Sequence, residues 1–186
     1  RMEIDDSGRV VKHEIFDSVI HSDYRMTYYA VNQIITEKDP TIREQYNEIT
    51  PMLDLAQDLS NRLIQMRKRR GEIDFDISEA KVLVNEDGIP TDVQLRQRGE
   101  GERLIESFML IANETVAEHF SKLDVPFIYR VHEQPKSDRL RQFFDFITNF
   151  GIMIKGTGED IHPTTLQKVQ EEVEGRPEQM VISTMM

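Results

Sequence analysis

GEGERLIESFMLIANETVAEHFSK, residues 99–122, is the stretch whose reading decides the fold. Leu104, Ile105, Phe108, Ala112, Val116 and Phe120 recur at the spacing of one face of an α-helix. The spacing predicts the longest helix of the chain, with these six side chains facing inward. Glu106 lies next to Ile105 and two residues before Phe108, at the edge of that face. Asn113 follows seven residues later, two helical turns on, so the two polar side chains share a side.

Upstream, Ala80–Asn85 and Thr91–Gln97 are β-prone runs around a turn at Glu86-Asp87-Gly88, which predicts a hairpin. Before it, Thr50 can cap a helix, Pro51 suits the first helical position and Gly71 supplies the stop. Met52, Leu55, Leu59, Leu63 and Met66 form the expected apolar stripe of that helix, and Arg67-Lys68-Arg69-Arg70 complements its negative end. Met2 to Ile20 reads as a hairpin around Asp5-Asp6-Ser7-Gly8. Tyr24–Ile35 reads as a helix with Met26, Ala30 and Ile34 on one side, broken at Asp39-Pro40.

Downstream, Phe127–Val131 reads as a short strand closed by Gln134-Pro135. Ser137 opens a helix carrying Leu140, Phe143, Phe144, Ile147 and Phe150, which Gly151 ends, and Pro163 and Pro177 each start a short helix. The sum is an α+β fold, β-hairpins packed with several amphipathic helices.

Composition narrows the class. With 186 residues, 31% charged and 38% hydrophobic, the chain is a folded globular type with room for one ordinary domain. It has no apolar run of bilayer length and no basic-plus-apolar leader, so no membrane role is expected and the cytoplasm is the expected compartment. The absence of cysteine excludes disulfides, thiolate metal sites and cysteine nucleophiles. A net charge of -11 suits a protein partner. RNA binding would need basic groups lining a local channel, or carried on another part of the protein. The chain enters a strand-like run at Arg1 and stops at Met185-Met186 inside a helical stretch, so both ends read as truncated.

The chemistry-bearing residues leave alternatives open. Carboxylates number 34. Asp74 and Asp76 could share a strand face but also read as a solvated face, Asp5-Asp6 as a turn and Glu171-Glu172 as a helix surface. Phe75, between the two aspartates, is a core phenylalanine or an aromatic platform. His132 could be a general base, yet no serine or cysteine constellation accompanies it, and a structural hydrogen bond accounts for it as well. Arg67 and Arg70, with the two residues between them, are helix-end charges or contacts to an RNA backbone.

Arg70-Gly71-Glu72-Ile73-Asp74-Phe75-Asp76, then Gly101 to Glu114, then Phe127-Ile128-Tyr129-Arg130-Val131-His132-Glu133-Gln134-Pro135, with Ile15 to Tyr28 ahead of them, occur in one order along the chain. In that order they resemble the RNB-family exoribonucleases (the ribonuclease R and ribonuclease II type), and the ribonuclease R branch above all. The resemblance implies that residues 1–186 are the central portion of an RNB catalytic domain. It implies a parent that is a hydrolytic, processive 3′-to-5′ exoribonuclease, degrading single-stranded RNA to nucleoside 5′-monophosphates with Mg²⁺ held by clustered aspartates. Phe75 matches the aromatic that clamps the 3′-terminal bases, and Glu106 a glutamate that contacts the terminal sugar. Asn113, read from its place on the helix alone, either bonds a neighbouring loop and positions the helix or contacts the ligand.

The departures define what this segment supplies. The family's Asp-x-x-x-x-x-Asp-x-Asp-Asp and Thr-Ser-Pro-Ile-Arg-Arg-Tyr motifs occur nowhere in the 186 residues. The expectation is a wall of the RNA channel that binds no metal by itself, is inactive alone, and works with flanking parts of the same catalytic domain. The alternative is a non-catalytic RNA- or protein-binding relative.

Overall fold

A computed structural model describes residues 1–74, 79–96, 98–131, 135–154 and 162–186. The architecture is α+β, two small antiparallel sheets among helices. The chain divides into two compact units, Arg1–Met66 with Asp76–Phe127, and Arg67–Phe75 with Ile128–Met186.

The first unit begins with β1 (Met2–Ile4) and β2 (Val10–His13), an antiparallel pair. Asp5 builds its turn: one carboxylate oxygen accepts from the Ser7 N–H, the Ser7 hydroxyl and the Arg9 N–H at 2.9, 2.6 and 2.9 Å. The expected hairpin ran on to Ile20, but the ladder stops at His13. Residues 15–26 make no backbone–backbone hydrogen bond with another described residue, and a strand without a partner is not a strand.

α1 (Tyr28–Asn32) starts four residues later than the pattern predicted, where the Thr27 hydroxyl accepts from the Ala30 N–H. A π-helical turn over Gln33–Glu37 follows, and its extra residue per turn brings the adjacent Ile34 and Ile35 both inside. Lys38, with φ of 53°, closes it. Asp39-Pro40 is then a beginning as well as a break. Asp39 caps α2 (Pro40–Gln45) by accepting from the Thr41 and Ile42 N–H groups, with Pro40 in the first turn. Arg43 ties these pieces together by donating to the Ile34 carbonyl and, bidentately, to Asp54.

α3 (Thr50–Arg70) is the helix expected, with two corrections. Thr50 is already helical and does not cap: its hydroxyl donates to the Arg43 and Tyr46 carbonyls, because helical bonds continue through the preceding turn. The buried stripe is Leu53, Ser60, Leu63, Met66 and Arg67, while Met52 and Leu55 face water. The second hairpin, β3 (Glu79–Val84) and β4 (Pro90–Arg96), is where the pattern put it; position 97, its expected last residue, lies outside the described residues. α4 (Glu100–Lys122) buries Gly101, Leu104, Ser107, Ile111 and Thr115. Ile105 lies outside the core, since the small side chains Ser107 and Thr115 occupy the inner face and rotate it by one position. Two clusters make the core of this unit: Ile34, Ile35, Leu53 and Leu104, and Leu63, Met66 and Ile111, with Phe108 against both.

The second unit contains the last turn of α3, α5 (Ser137–Thr148), α6 (Pro163–Val173) and α7 (Gln179–Met185) around Phe143, Ile147, Ile152, Val169, Val173 and Ile182. Pro163 opens α6 as expected, whereas Pro177 sits in the turn ahead of α7. Residues 127–131 were expected as a strand and form none, because no described segment pairs with them; Phe127 instead stacks on Phe120 with ring centroids 4.5 Å apart.

Candidate nucleic-acid interface

The cap position ahead of α4 is Gly99, which offers no side chain to the first exposed N–H groups. Asn32, the last residue of α1, supplies what is missing. Its Oδ1 accepts from the Gly101 N–H at 2.7 Å, and its Nδ2 donates to Glu102 Oε2 at 3.2 Å. Glu102 in turn accepts from the Gly99 N–H at 3.2 Å, the return half of a capping box. The fit needs the glycine: a Cβ on residue 99 would lie 2.4 Å from Asn32 Nδ2.

This anchored helix carries Glu106 on its second turn. The side chain is half-buried, and Arg98 donates to its Oε2. A carboxylate accepts several hydrogen bonds, so the bond from Arg98 leaves Glu106 acceptor capacity. A carboxylate beside a guanidinium, each in part exposed, can meet a sugar hydroxyl and an adjoining phosphate together. Arg98 escaped the sequence reading because its partner is eight residues away across the helix start. The usable signal was a basic residue directly ahead of the Gly-x-Gly that opens the helix. Asn113 is exposed on the fourth turn of the same helix.

In the second unit, α3 ends at Gly71 with φ of +95°. The Glu72 N–H donates to the Arg67 carbonyl and the Gly71 N–H to that of Lys68, a Schellman closure. Arg67 is buried and its Nε donates to Glu72 Oε1 at 2.8 Å, while Arg70 is exposed. The basic run is therefore split between an internal ion pair and surface charge. Gln167 of α6 donates to the Lys68 carbonyl at 3.0 Å, and Gln170 donates to the Asp74 carbonyl. The backbone is thus held up to the residue before Phe75. Phe75 and His132 lie outside the described residues.

Among the described residues, no group of three or more His, Cys, Asp or Glu side chains could hold a metal ion. Among these carboxylates, Asp54 pairs with Arg43, Glu72 with Arg67 and Glu106 with Arg98, and Glu102 holds the helix start. Mg²⁺ takes hard oxygen ligands in an octahedron, and the described residues gather no such set of carboxylates. No described helix is long and apolar enough to cross a membrane.

The RNB domain family model matches residues 1–186. Ribonuclease R 1 of Lactococcus lactis is 49% identical over 185 residues, covering 100% of this chain and 22% of that protein. Ribonuclease R of Thermotoga maritima is 41% identical over 177 residues, 95% of this chain and 24% of the relative. The chain thus spans about a quarter of the length of the curated relatives it matches. Among solved structures, Mycoplasma genitalium RNase R in complex with ribose methylated single-stranded RNA superposes with a TM-score of 0.84 over 99% of this chain and 28% of that one. At 22% identity that likeness speaks to the fold.

Proposed function

This chain belongs to the RNB domain family, and from that premise we propose that it is the channel-wall portion of a hydrolytic, processive 3′-to-5′ exoribonuclease acting on single-stranded RNA. The observation that carries the reading is the half-buried Glu106 carboxylate beside Arg98, on a helix whose start is pinned by Asn32. Glu106 accepts hydrogen bonds from the hydroxyls of the 3′-terminal ribose, and Arg98 meets the adjoining phosphate. A hydroxyl contact of this kind tells RNA from DNA. Phe75 stacks against the terminal bases, a sequence-tolerant interaction worth about 1–3 kcal/mol per base. The Gln170 bond to the Asp74 carbonyl and the closure at Gly71 hold the backbone that leads to it. Arg70, exposed at the end of α3, meets the RNA backbone, and Asn113 positions α4. The Mg²⁺ on which the complete enzyme depends is held by residues other than those described here, and the 186-residue chain alone does not cleave RNA.

The test uses the complete polypeptide with Mg²⁺ and single-stranded oligonucleotides ending in either a ribose or a 2′-deoxyribose. Wild type is expected to release nucleoside 5′-monophosphates and to prefer the ribose end. Glu106→Gln is expected to lower kcat/KM on RNA by roughly 10- to 100-fold, the loss of a charge-assisted hydrogen bond, and to narrow the preference. An unchanged preference overturns the role of Glu106. RNA that is bound but not degraded by the complete protein supports a non-catalytic relative instead. Monophosphate release by the 186-residue chain overturns its assignment as wall alone.

A further inference from the structure

Two imidazoles meet where the β1–β2 hairpin joins α4. His13 Nε2 lies 2.9 Å from His119 Nδ1, with ring centroids 5.0 Å apart and planes at 81°. Both rings are half-buried and belong to the same compact unit. His13 ends the ladder opposite Met2, and residues 15–26 leave from that end without a backbone partner among the described residues. Phe120 packs edge-on against His119 and stacks on Phe127, so aromatic packing holds that ring as well. One turn earlier on α4, Thr115 Oγ1 lies 3.3 Å from Met2 Sδ, but its one proton goes to the Ile111 carbonyl at 2.7 Å. The imidazole bond is therefore the better polar tie of the two.

An N–H···N bond needs one ring nitrogen with a proton and a facing one with a free lone pair. A neutral pair meets that condition, and so does a pair carrying one charge. Two imidazoliums do not, because both facing nitrogens then carry hydrogen and both rings are charged. The carboxylates near the pair are already matched by cations. On α4, Glu118 pairs with Lys122, which is the main reason its carboxyl lies below the ordinary value; His13 adds a smaller effect. On the hairpin, Glu14 pairs with Arg1 and Glu3 with Lys12. We propose that the His13–His119 bond is an acid-released latch, holding the open end of the β1–β2 hairpin on α4. The closed latch takes up one proton fewer than two separated rings. Its contribution is therefore complete at alkaline pH and lost as pH falls through the range, about pH 8 to 5, in which imidazoles ordinarily change charge. The inference is independent of any role for Glu106 or Phe75.

Hydrogen exchange across residues 2–13 of the complete polypeptide, free of RNA and corrected for the intrinsic effect of pH on exchange, reads the latch. Opening of β1–β2 is expected to rise at least about tenfold from pH 8 to pH 5, the consequence of one extra proton taken up on opening. Opening of β3–β4 is expected to change by less than about twofold over the same range. His119→Gln is expected to keep the hairpin closed at both pH values, since its amide can turn to donate to His13 or to accept from it. His119→Phe is expected to leave the hairpin open at both. Wild-type opening that is unchanged between pH 8 and pH 5 overturns the latch whether or not the variants fold. So does an equal rise in β3–β4, which names a general loosening in acid. A His119→Gln hairpin that opens in acid as wild type does, or a His119→Phe hairpin as closed as wild type at pH 8, overturns it too.

Discussion

The Oδ1 of Asn32 accepts a hydrogen bond from the Gly101 N–H at 2.7 Å across 69 residues of sequence, so that one helix caps another. Asn32→Ala removes that acceptor and the bond to Glu102, and is expected to destabilise the protein by about 1–2 kcal/mol, the worth of a helix cap. Gly99→Ala places a methyl group against the Asn32 amide and is expected to cost about as much or more. The two substitutions are expected to be non-additive, since truncating Asn32 clears the space that the added methyl group needs. Urea unfolding of both single variants and the double checks the coupling; additive losses would deny the clamp.

Gly71→Ala is expected to destabilise the second unit, because its φ of +95° is strained for any residue with a Cβ and that Cβ would sit 2.8 Å from the Thr164 backbone nitrogen. Gln170→Ala is milder, about 1 kcal/mol for one hydrogen bond. Its clearer effect is expected on RNA, where loosening the Asp74 carbonyl should weaken seating of the 3′ end. Thermal unfolding and oligonucleotide affinity of the complete polypeptide separate the two effects. An unchanged affinity with lowered stability would leave Gln170 a purely structural residue.

Acid should act first on particular carboxylates. Hydrogen bonds from Arg43 hold the Asp54 carboxyl below its ordinary value of 3.8, with burial opposing them. A lowered folded-state pKa gives stability that is complete above 3.8 and is lost as pH falls through the lowered value. Both side chains are partly exposed, so the contribution is expected to be within about 1 kcal/mol. Asp54→Asn should therefore be less stable than wild type near neutrality, and the gap should close in strong acid. A gap that persists there would assign the effect to something other than this pair. Asp5, pulled down to about 2 by the Ser7 hydroxyl and then the Arg9 N–H, should keep its turn ionised below the pH at which ordinary aspartates protonate, which NMR titration can follow.

The inner face of α4 can be checked by substitution. Ile111→Ala is expected to cost about 2–5 kcal/mol, and Ser107→Leu about 1–3 kcal/mol through overpacking. Ile105→Ser, at 42% exposure, is expected to change stability by no more than about 0.5 kcal/mol. A large loss at Ile105 would restore the face that its apolar spacing alone implies.

That last contrast shows what was legible beforehand. The long helices α3 and α4, the two turns at Gly8 and Gly88, and the start of α6 at Pro163 follow from periodicity, turn chemistry and proline, all local signals. The buried face of α4 does not, because Ser107 and Thr115 look polar in sequence and are inside by virtue of their small size. Residues 127–131 have strand-forming side chains, but a ladder depends on a neighbour that no local pattern reports. Asp39-Pro40 carries both a stop and a start, and only the stop was read. At the candidate interface, Glu106 was singled out through family resemblance. Asn32 and Arg98 were missed, since their importance comes from contacts made after the chain folds back on itself.

The Asn32 clamp also constrains when the helix can be completed on the ribosome. Asn32 is made 69 residues before Gly101, a delay of roughly 3–14 s at synthesis rates of about 5–20 residues per second. Throughout that interval the Asn32 amide lacks its Gly101 partner, so the capped start of α4 forms only after both have been made. The start of α4 is accordingly a late, long-range event in biogenesis, and the side chain that decides it is translated long before the helix it serves.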